Sequence, residues 1–356
     1  MMMYDGNAVV YCENSFLTTY GKTAHGLVRF TERYAVRSVI DSRVPGEPDA
    51  GMVLDGRPAG IPIVESLSRA LELADASGYQ LTHFIIGVAT DGGYLTADIR
   101  EAVRKALESG LNIDSGLHDY VSDDDELRLL AERQGVLIRD IRKSAASGNH
   151  MFTGKIHEVS SRRIPVLGTD SALGKRTTAW ILVHALREAG RSAEMIGTGQ
   201  TAWLQGARYC TVMDSLINDY VSGELEHAVW SAWHEQDMEY AIIEGQGSLM
   251  NPGYPGGFEI LAACRPHGII MQHAPMRREY DGFPGFPLDS LKDQIFLAEF
   301  LSRKPVIGIT VNHEGMDPSN ISRICGELED LHGIPACDPL ITGIAPVIDA
   351  VLQIEA

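Results

Sequence analysis

The run Gly168-Thr169-Asp170-Ser171-Ala172-Leu173-Gly174-Lys175-Arg176-Thr177-Thr178 decides the fold of the second part of the chain. An apolar stretch, residues 164–167, precedes it, and a helical period over residues 177–189 follows it. Strand, glycine turn and Gly-Lys at a helix start make a P-loop. The glycines let successive N–H groups converge on phosphate oxygens, the helix N-terminus adds partial positive charge, and the lysine adds a full one. These eleven residues are therefore the candidate cofactor-binding set. Five residues separate the two glycines, where the standard loop has four. Arg176 also stands where a Ser or Thr hydroxyl would ligate Mg²⁺. Thr177 comes one place later, about 100° further round a helix. Phosphate binding is expected, and the displaced hydroxyl counts against conventional Mg-ATP chemistry. Gly21-Lys22-Thr23 carries the Gly-Lys-Thr of a standard loop, without a glycine at the upstream position or a preceding strand, and reads as a chance match.

Outward from the loop the chain keeps one rhythm. β-rich runs at residues 36–40, 84–88, 111–113 and 136–141 alternate with helical periods at 99–107 and 127–131. Asp123, Asp124 and Asp125 suit the N-terminus of the second helix. Residues 144–149 are small, polar and without period, so a linker and a domain boundary are expected there. The rhythm then restarts, with strands expected at 193–196, 240–243, 269–271 and 306–311. The expectation is α/β throughout, with parallel sheets and domains at residues 1–150 and 151–356.

Several strand ends carry polar groups, where ligands of open α/β sheets collect. Glu244-Gly-Gln246-Gly-Ser248 follows residues 240–243, and an acidic residue there is Walker B-like, suited to hold Mg²⁺ through water or to act as a general base. Gly197-Thr198-Gly199-Gln200-Thr201 brings hydroxyl and amide donors to another strand end. Arg277 and Arg278 suit a carboxylate clamp, and a surface arginine pair fits the same pattern. Asp214, Asp219, Glu224 and Glu226 read mostly as a solvated acidic face.

Composition closes other classes. Lys plus Arg is 30 against 48 Asp plus Glu, a net charge of −18, which argues against nucleic-acid or anionic-membrane partners. No run is apolar enough to span a bilayer, and residues 1–7 show no secretory signal. The five cysteines are scattered and never spaced C-x-x-C, which fits reduced thiols in a cytoplasmic protein. The twelve histidines show no H-x-x-x-H or H-E-x-x-H spacing, so no metal site is expected. Residues 87–93 lack a full G-x-G-x-x-G, so support for NAD is weak.

Gly168-Thr169-Asp170 with Gly174-Lys175, and later Glu244-Gly-x-Gly, resembles the dethiobiotin synthetase branch of P-loop enzymes. Arg176 departs from that pattern. So does the absence of the amine-binding lysine segment, in whose place Gly197–Thr201 stands. A closer resemblance covers nearly the whole chain. Gly21-Lys-Thr-Ala-His-Gly26, Gly87-Val-Ala89 with Gly92-Gly93, Gly110-Leu-Asn-Ile113, Ser115-Gly-Leu-His118-Asp119, Thr198-Gly-Gln-Thr201 and Ile243-Glu-Gly-Gln-Gly-Ser-Leu249 are similar to the DgcN-type D-glutamate N-acetyltransferase family. That family was long labelled a domain of unknown function. The resemblance implies a Rossmann-like N-terminal domain and a P-loop NTPase-like C-terminal domain. It also implies acetyl-CoA as donor and an acidic amino acid, D-glutamate, as acceptor. Family analogy to the P-loop branch implies a homo-oligomer.

Amine acetylation needs a base, an oxyanion donor and a cation for the substrate carboxylates. Glu244 is the candidate base, with Gln200 and Gln246 as oxyanion donors. Arg277 or Arg278 is the candidate clamp, and Thr201, Ser248 and His118 are further substrate-side candidates. A structural role competes for His118. The competing functions are an ATP- and Mg-dependent ligase or kinase, and a non-catalytic nucleotide-binding protein.

Overall fold

The computed structural model describes residues 4–145 and 148–355. The chain forms two compact units, Met1–Ser147 together with Gln200–Gly206, and Gly148–Gly199 together with Ala207–Ala356. Of the expected linker at 144–149, residues 146 and 147 lie outside the described residues.

The first unit holds six strands: β1 Gly6–Tyr11, β2 Tyr34–Ile40, β3 Ile63–Val64, β4 His83–Ile86, β5 Asn112–Ser115 and β6 Ile138–Asp140. All pair in parallel, in the order β3-β2-β1-β4-β5-β6. This is the Rossmann order, which reverses between β1 and β4. Ala8, Val9, Val10, Phe84 and Ile85 are fully buried, because helices cover both faces of a parallel sheet and its strands read as apolar runs. β1 escapes sequence inspection because it starts with Gly6 and Asn7 and offers only a short apolar run. Helix starts follow local chemistry: Ser66, Thr96 and Asp124 each accept hydrogen bonds from first-turn N–H groups.

The turn after β1 shows why the weak dinucleotide signature matters. Asp41, just past β2, is buried, and its carboxylate accepts from the N–H groups of Asn14, Ser15 and Phe16 at 3.1, 3.2 and 2.9 Å. In a dinucleotide-binding Rossmann unit the turn after the first strand donates its N–H groups to pyrophosphate. Here the protein's own carboxylate takes them.

The second unit holds seven parallel strands: β7 Arg162–Gly168, β8 Ala193–Gly197, β9 Tyr209–Cys210, β10 Tyr240–Glu244, β11 Ile269–His273, β12 Val306–Val311 and β13 Ala336–Cys337. Their order is β13-β12-β11-β7-β10-β8-β9, so β7 is central, between β10 and β11. Register sets Glu244 opposite Val166 and Gln272 opposite Gly168. The ends of three strands thus meet at the glycine loop.

Two sequence expectations need correction. Gln200 and Thr201 follow Thr198 and Gly199 directly but are not part of the same turn. They open the short helix Gln200–Leu204, which belongs to the first unit. There the Thr201 hydroxyl lies 2.9 Å from that of Thr23, the Gln205 amide donates to the carbonyls of Gly26 and Phe30, and Arg33 lies over the Trp203 ring. The acidic stretch is a solvated face only in part: Asp214 and Asp219 are exposed, whereas Glu224 and Glu226 are not. Glu226 is buried and accepts from the N–H groups of Thr153 and Ile156 and from the Thr153 hydroxyl, while Glu224 accepts from His150. A buried carboxylate is tolerable only with such donors. They come from a segment some seventy residues away, as the separations of 70 and 73 positions record.

The same segment explains Gly223, inside helix Asn218–Gln236. A Cβ there would lie 2.0 Å from the His150 carbonyl oxygen. Alanine at an open helix site would be favoured by about 1 kcal/mol. Here the clash with backbone costs more, roughly 1–3 kcal/mol in overpacked sites. Net of the propensity gain the loss is up to about 2 kcal/mol, so Gly223→Ala is expected to lower the thermal midpoint by up to roughly 8 °C, at about 2–4 °C per kcal/mol for a unit of this size. A melt showing a gain would refute the close approach.

Candidate phosphate-binding and acid–base site

The glycine loop leaves the end of β7 and enters helix Lys175–Glu188. Ala172 has φ 51° and Gly174 φ 93°. Positive φ curls the chain so that neighbouring N–H groups point to one side, and a non-glycine residue held there marks a constrained, functional turn. The first four N–H groups of the helix have no partner within it, so they add donors to the same concavity. Lys175 is buried, and its Nζ donates to the Asp170 carbonyl at 2.5 Å.

Asp170 poses an electrostatic problem, since a carboxylate inside a phosphate loop would repel the ligand. The fold answers it by matching the charge with donors. Asp170 is fully buried and accepts from Asn251 Nδ2, Arg277 Nη1 and the Asp281 N–H, each at 2.8 Å. Arg277 Nη1 also donates to the Ser171 carbonyl at 2.7 Å, and Nη2 to Glu314 at 2.6 Å. Arg277 is thus held by two carboxylates and shapes the loop, a role different from the expected substrate clamp. Arg278 is exposed, and its carbonyl accepts from the Leu288 N–H.

Other loop hydroxyls are engaged within the unit. Thr169 Oγ1 lies 3.1 Å from His273 Nδ1, and burial holds that histidine down at about 4, neutral at physiological pH. Thr178 Oγ1 donates to Gln272 Oε1 at 2.6 Å, and Ser171 Oγ to Asp281 at 3.2 Å. Asn312 Nδ2 donates to the Leu173 carbonyl at 2.9 Å. Thr177 is part-exposed on the first turn of the helix.

Glu244 ends β10 and is almost wholly buried. Its Oε2 accepts from the Thr198 N–H at 2.8 Å, the Gly199 N–H at 3.2 Å and the Thr198 hydroxyl at 3.4 Å. Its Oε1 lies 3.9 Å from Arg176 Nη1. Burial raises the carboxyl above the ordinary glutamate range, and Arg176 and the Thr198 and Gly199 donors oppose that rise. A carboxylate made more basic by burial, yet held by fixed donors, is suited to accept a proton. Gln246 Nε2 donates to Thr198 Oγ1 at 3.0 Å, and its amide carries a second hydrogen. Ser248 is buried in the same turn, and its hydroxyl has no protein partner among the described residues.

The second unit thus gathers the glycine loop, Lys175, Arg176, Glu244, Gln246, Thr198 and Gly199. Gln200, Thr201 and His118 belong to the first unit, where Gln200 packs against Gly116 and the exposed His118 donates its N–H to the Gly93 carbonyl. Asn251, Asp281, Asn312 and Glu314 escape sequence reading. Asn251-Pro-Gly253 has the look of a turn, but nothing local ties it to Asp170, 81 positions earlier.

The residues do not fit the Mg²⁺ of nucleotide-hydrolysing P-loops. Arginine replaces its hydroxyl ligand. Among the described residues, no group of three or more His, Cys, Asp or Glu side chains is placed to hold a metal ion. Nor is any described helix long and apolar enough to cross a membrane.

Two outcomes follow from this geometry. Arg277→Met strips a buried carboxylate of its cation, which typically costs about 3–5 kcal/mol. Denaturant unfolding should show a loss of that order, and wild-type stability would mean that Asp170 does not depend on Arg277. Lys175→Ala should instead weaken phosphate-ligand binding by at least tenfold in a titration while leaving the thermal midpoint within a few degrees.

Family models match both parts of the chain: a Rossmann-like domain of unknown function at residues 45–144, and a P-loop domain of unknown function, DUF1611, at residues 150–348. A D-glutamate N-acetyltransferase from Pseudoalteromonas is 30% identical over 271 residues, 74% of this chain and 80% of its own length. A second protein of that name, from Tritonibacter scottomollicae, is 28% identical over 290 residues, covering 80% of this chain and 84% of its own. The crystal structure of a DUF1611 family protein from Anabaena variabilis superposes with a TM-score of 0.87 at 27% identity, over 98% of this chain and 99% of that one. With a Rossmann-ordered sheet in one unit and a P-loop on the central strand of the other, the chain belongs to the DUF1611 family.

Proposed function

We propose that this chain is an N-acetyltransferase that moves the acetyl group of acetyl-CoA to the amino group of an acidic amino acid, D-glutamate. Relatives bearing that name at 28% and 30% identity support the reaction class. The observation that carries the reading is Glu244: a buried carboxylate of raised basicity, 3.9 Å from Arg176 at the end of the phosphate-binding loop.

The chemistry assigns a part to each group. The P-loop and Lys175 hold the phosphates of the donor. The acceptor ammonium loses a proton to Glu244, and the free amine attacks the thioester carbonyl. Gln246 and backbone N–H groups steady the oxyanion. The C–S bond then breaks, the attacking nitrogen gives up its second proton to become the neutral amide, the CoA thiolate takes that proton to leave as the thiol, and Glu244 returns the first proton to solvent. No phosphate bond breaks. A Mg-dependent ATP ligase would need the metal ligand that Arg176 displaces.

Mixing the protein with acetyl-CoA and D-glutamate should release free thiol at a rate that depends on both. No release, together with Mg-dependent ATP turnover on an amine or acid, overturns the reading. Glu244→Gln should lower kcat by roughly 10²–10⁴-fold, the usual worth of a positioned base, with acetyl-CoA affinity within about threefold of wild type. Glu244 works only when ionised, so kcat should fall as the medium is acidified. The midpoint should lie above the ordinary 4.5 of a glutamate, because burial raises it. A profile flat through that range would exclude Glu244 as the base.

A further inference from the structure

We infer that Arg176 stands in for the divalent cation of the P-loop fold, so that this site binds a pyrophosphate-bearing nucleotide without metal. The inference rests on the loop being a phosphate site and deepens the reading above.

In metal-dependent P-loops a hydroxyl after the lysine and an acidic group on a neighbouring strand hold Mg²⁺, whose charge offsets that of the phosphates. The corresponding positions here are Arg176 and Glu244, and they face each other at 3.9 Å. Their side chains are 19% and 5% exposed. A dication could use neither oxygen of Glu244 freely. Oε2 already accepts from the N–H groups of Thr198 and Gly199, and Oε1 faces a guanidinium that would repel the ion. Nor does a neighbouring threonine replace the lost ligand. The Thr178 hydroxyl donates to Gln272, and Thr177 lies about 100° round the helix from position 176.

Guanidinium supplies what the metal would. It is charged at every physiological pH, and its planar fork can place two N–H donors on phosphate oxygens. A fixed cation suits a diphosphate that is only held. A transferred γ-phosphoryl group is different, because metal bridging of the β- and γ-oxygens is part of its chemistry. The ligand class is therefore a nucleotide whose diphosphate is an anchor.

The test measures binding of coenzyme A and of ADP by calorimetric titration, in EDTA and in Mg²⁺. Wild-type dissociation constants should agree within about twofold between the two conditions. Arg176→Ser restores the hydroxyl and removes the charge. It should bind at least tenfold more weakly in EDTA and recover part of that loss in Mg²⁺. Arg176→Gln, lacking both charge and a suitable hydroxyl, should be weak in both conditions. Loss of wild-type binding in EDTA, or wild-type affinity of Arg176→Ser in EDTA, overturns the inference, and the first arm needs no variant to fold. Metal-free binding of ADP with no binding of coenzyme A would support it while sinking the acetyl-CoA reading. Coenzyme A bound only with Mg²⁺ would do the reverse.

Discussion

A carboxylate removed from water must be given its donors by the protein, and two such carboxylates organise the second unit. Glu244 receives two backbone N–H groups from the end of β8 and faces Arg176 on the helix that begins the neighbouring crossover. Asp170 receives Asn251, Arg277 and the Asp281 N–H. Leaving either without partners would cost several kcal/mol, so the loops that supply the donors are bound to the glycine turn. The loops after β10 and β11 are set by the need to satisfy the charge of Asp170 just past β7, and the loop after β8 by that of Glu244 at the end of β10.

The two carboxylates have different partners, and that difference shapes the chemistry. Asp170 is buried and paired with Arg277, which in turn meets Glu314. The concavity keeps the helix N-terminus, Lys175 and Arg176. Glu244 is kept where Arg176 restrains but does not cancel the effect of its burial. A chain of net charge −18 can in this way present a local positive site, because its acidic residues near the loop are each matched to a donor inside the unit. The first unit uses the same device to a different end. There Asp41 occupies the N–H groups that a Rossmann turn offers to a dinucleotide.

Much of this was legible in the residues alone. The glycine loop, the strand before it and the helix after it are local features, and Glu244 at the end of an apolar run is visible by its place. The parallel α/β rhythm of both units is likewise carried by short apolar runs between helical periods. Short edge strands such as β9 and β13, two residues each, carry too little pattern to be seen. The roles of Arg277 and Gln200 were not legible. An arginine after a strand looks the same whether it meets a substrate carboxylate or Asp170, 107 positions earlier. Gly197 to Thr201 reads as one donor-rich turn, yet the chain leaves the second unit after Gly199 and enters the first at Gln200.

The sequence by itself determined the phosphate loop, its missing metal hydroxyl and the strand that carries the acid, because each depends on neighbours within about a dozen residues. Tertiary structure alone decided which charges are paired with which. That depends on pairs separated by up to 111 positions among these groups, and only the packing of parallel strands side by side brings such residues within hydrogen-bonding distance.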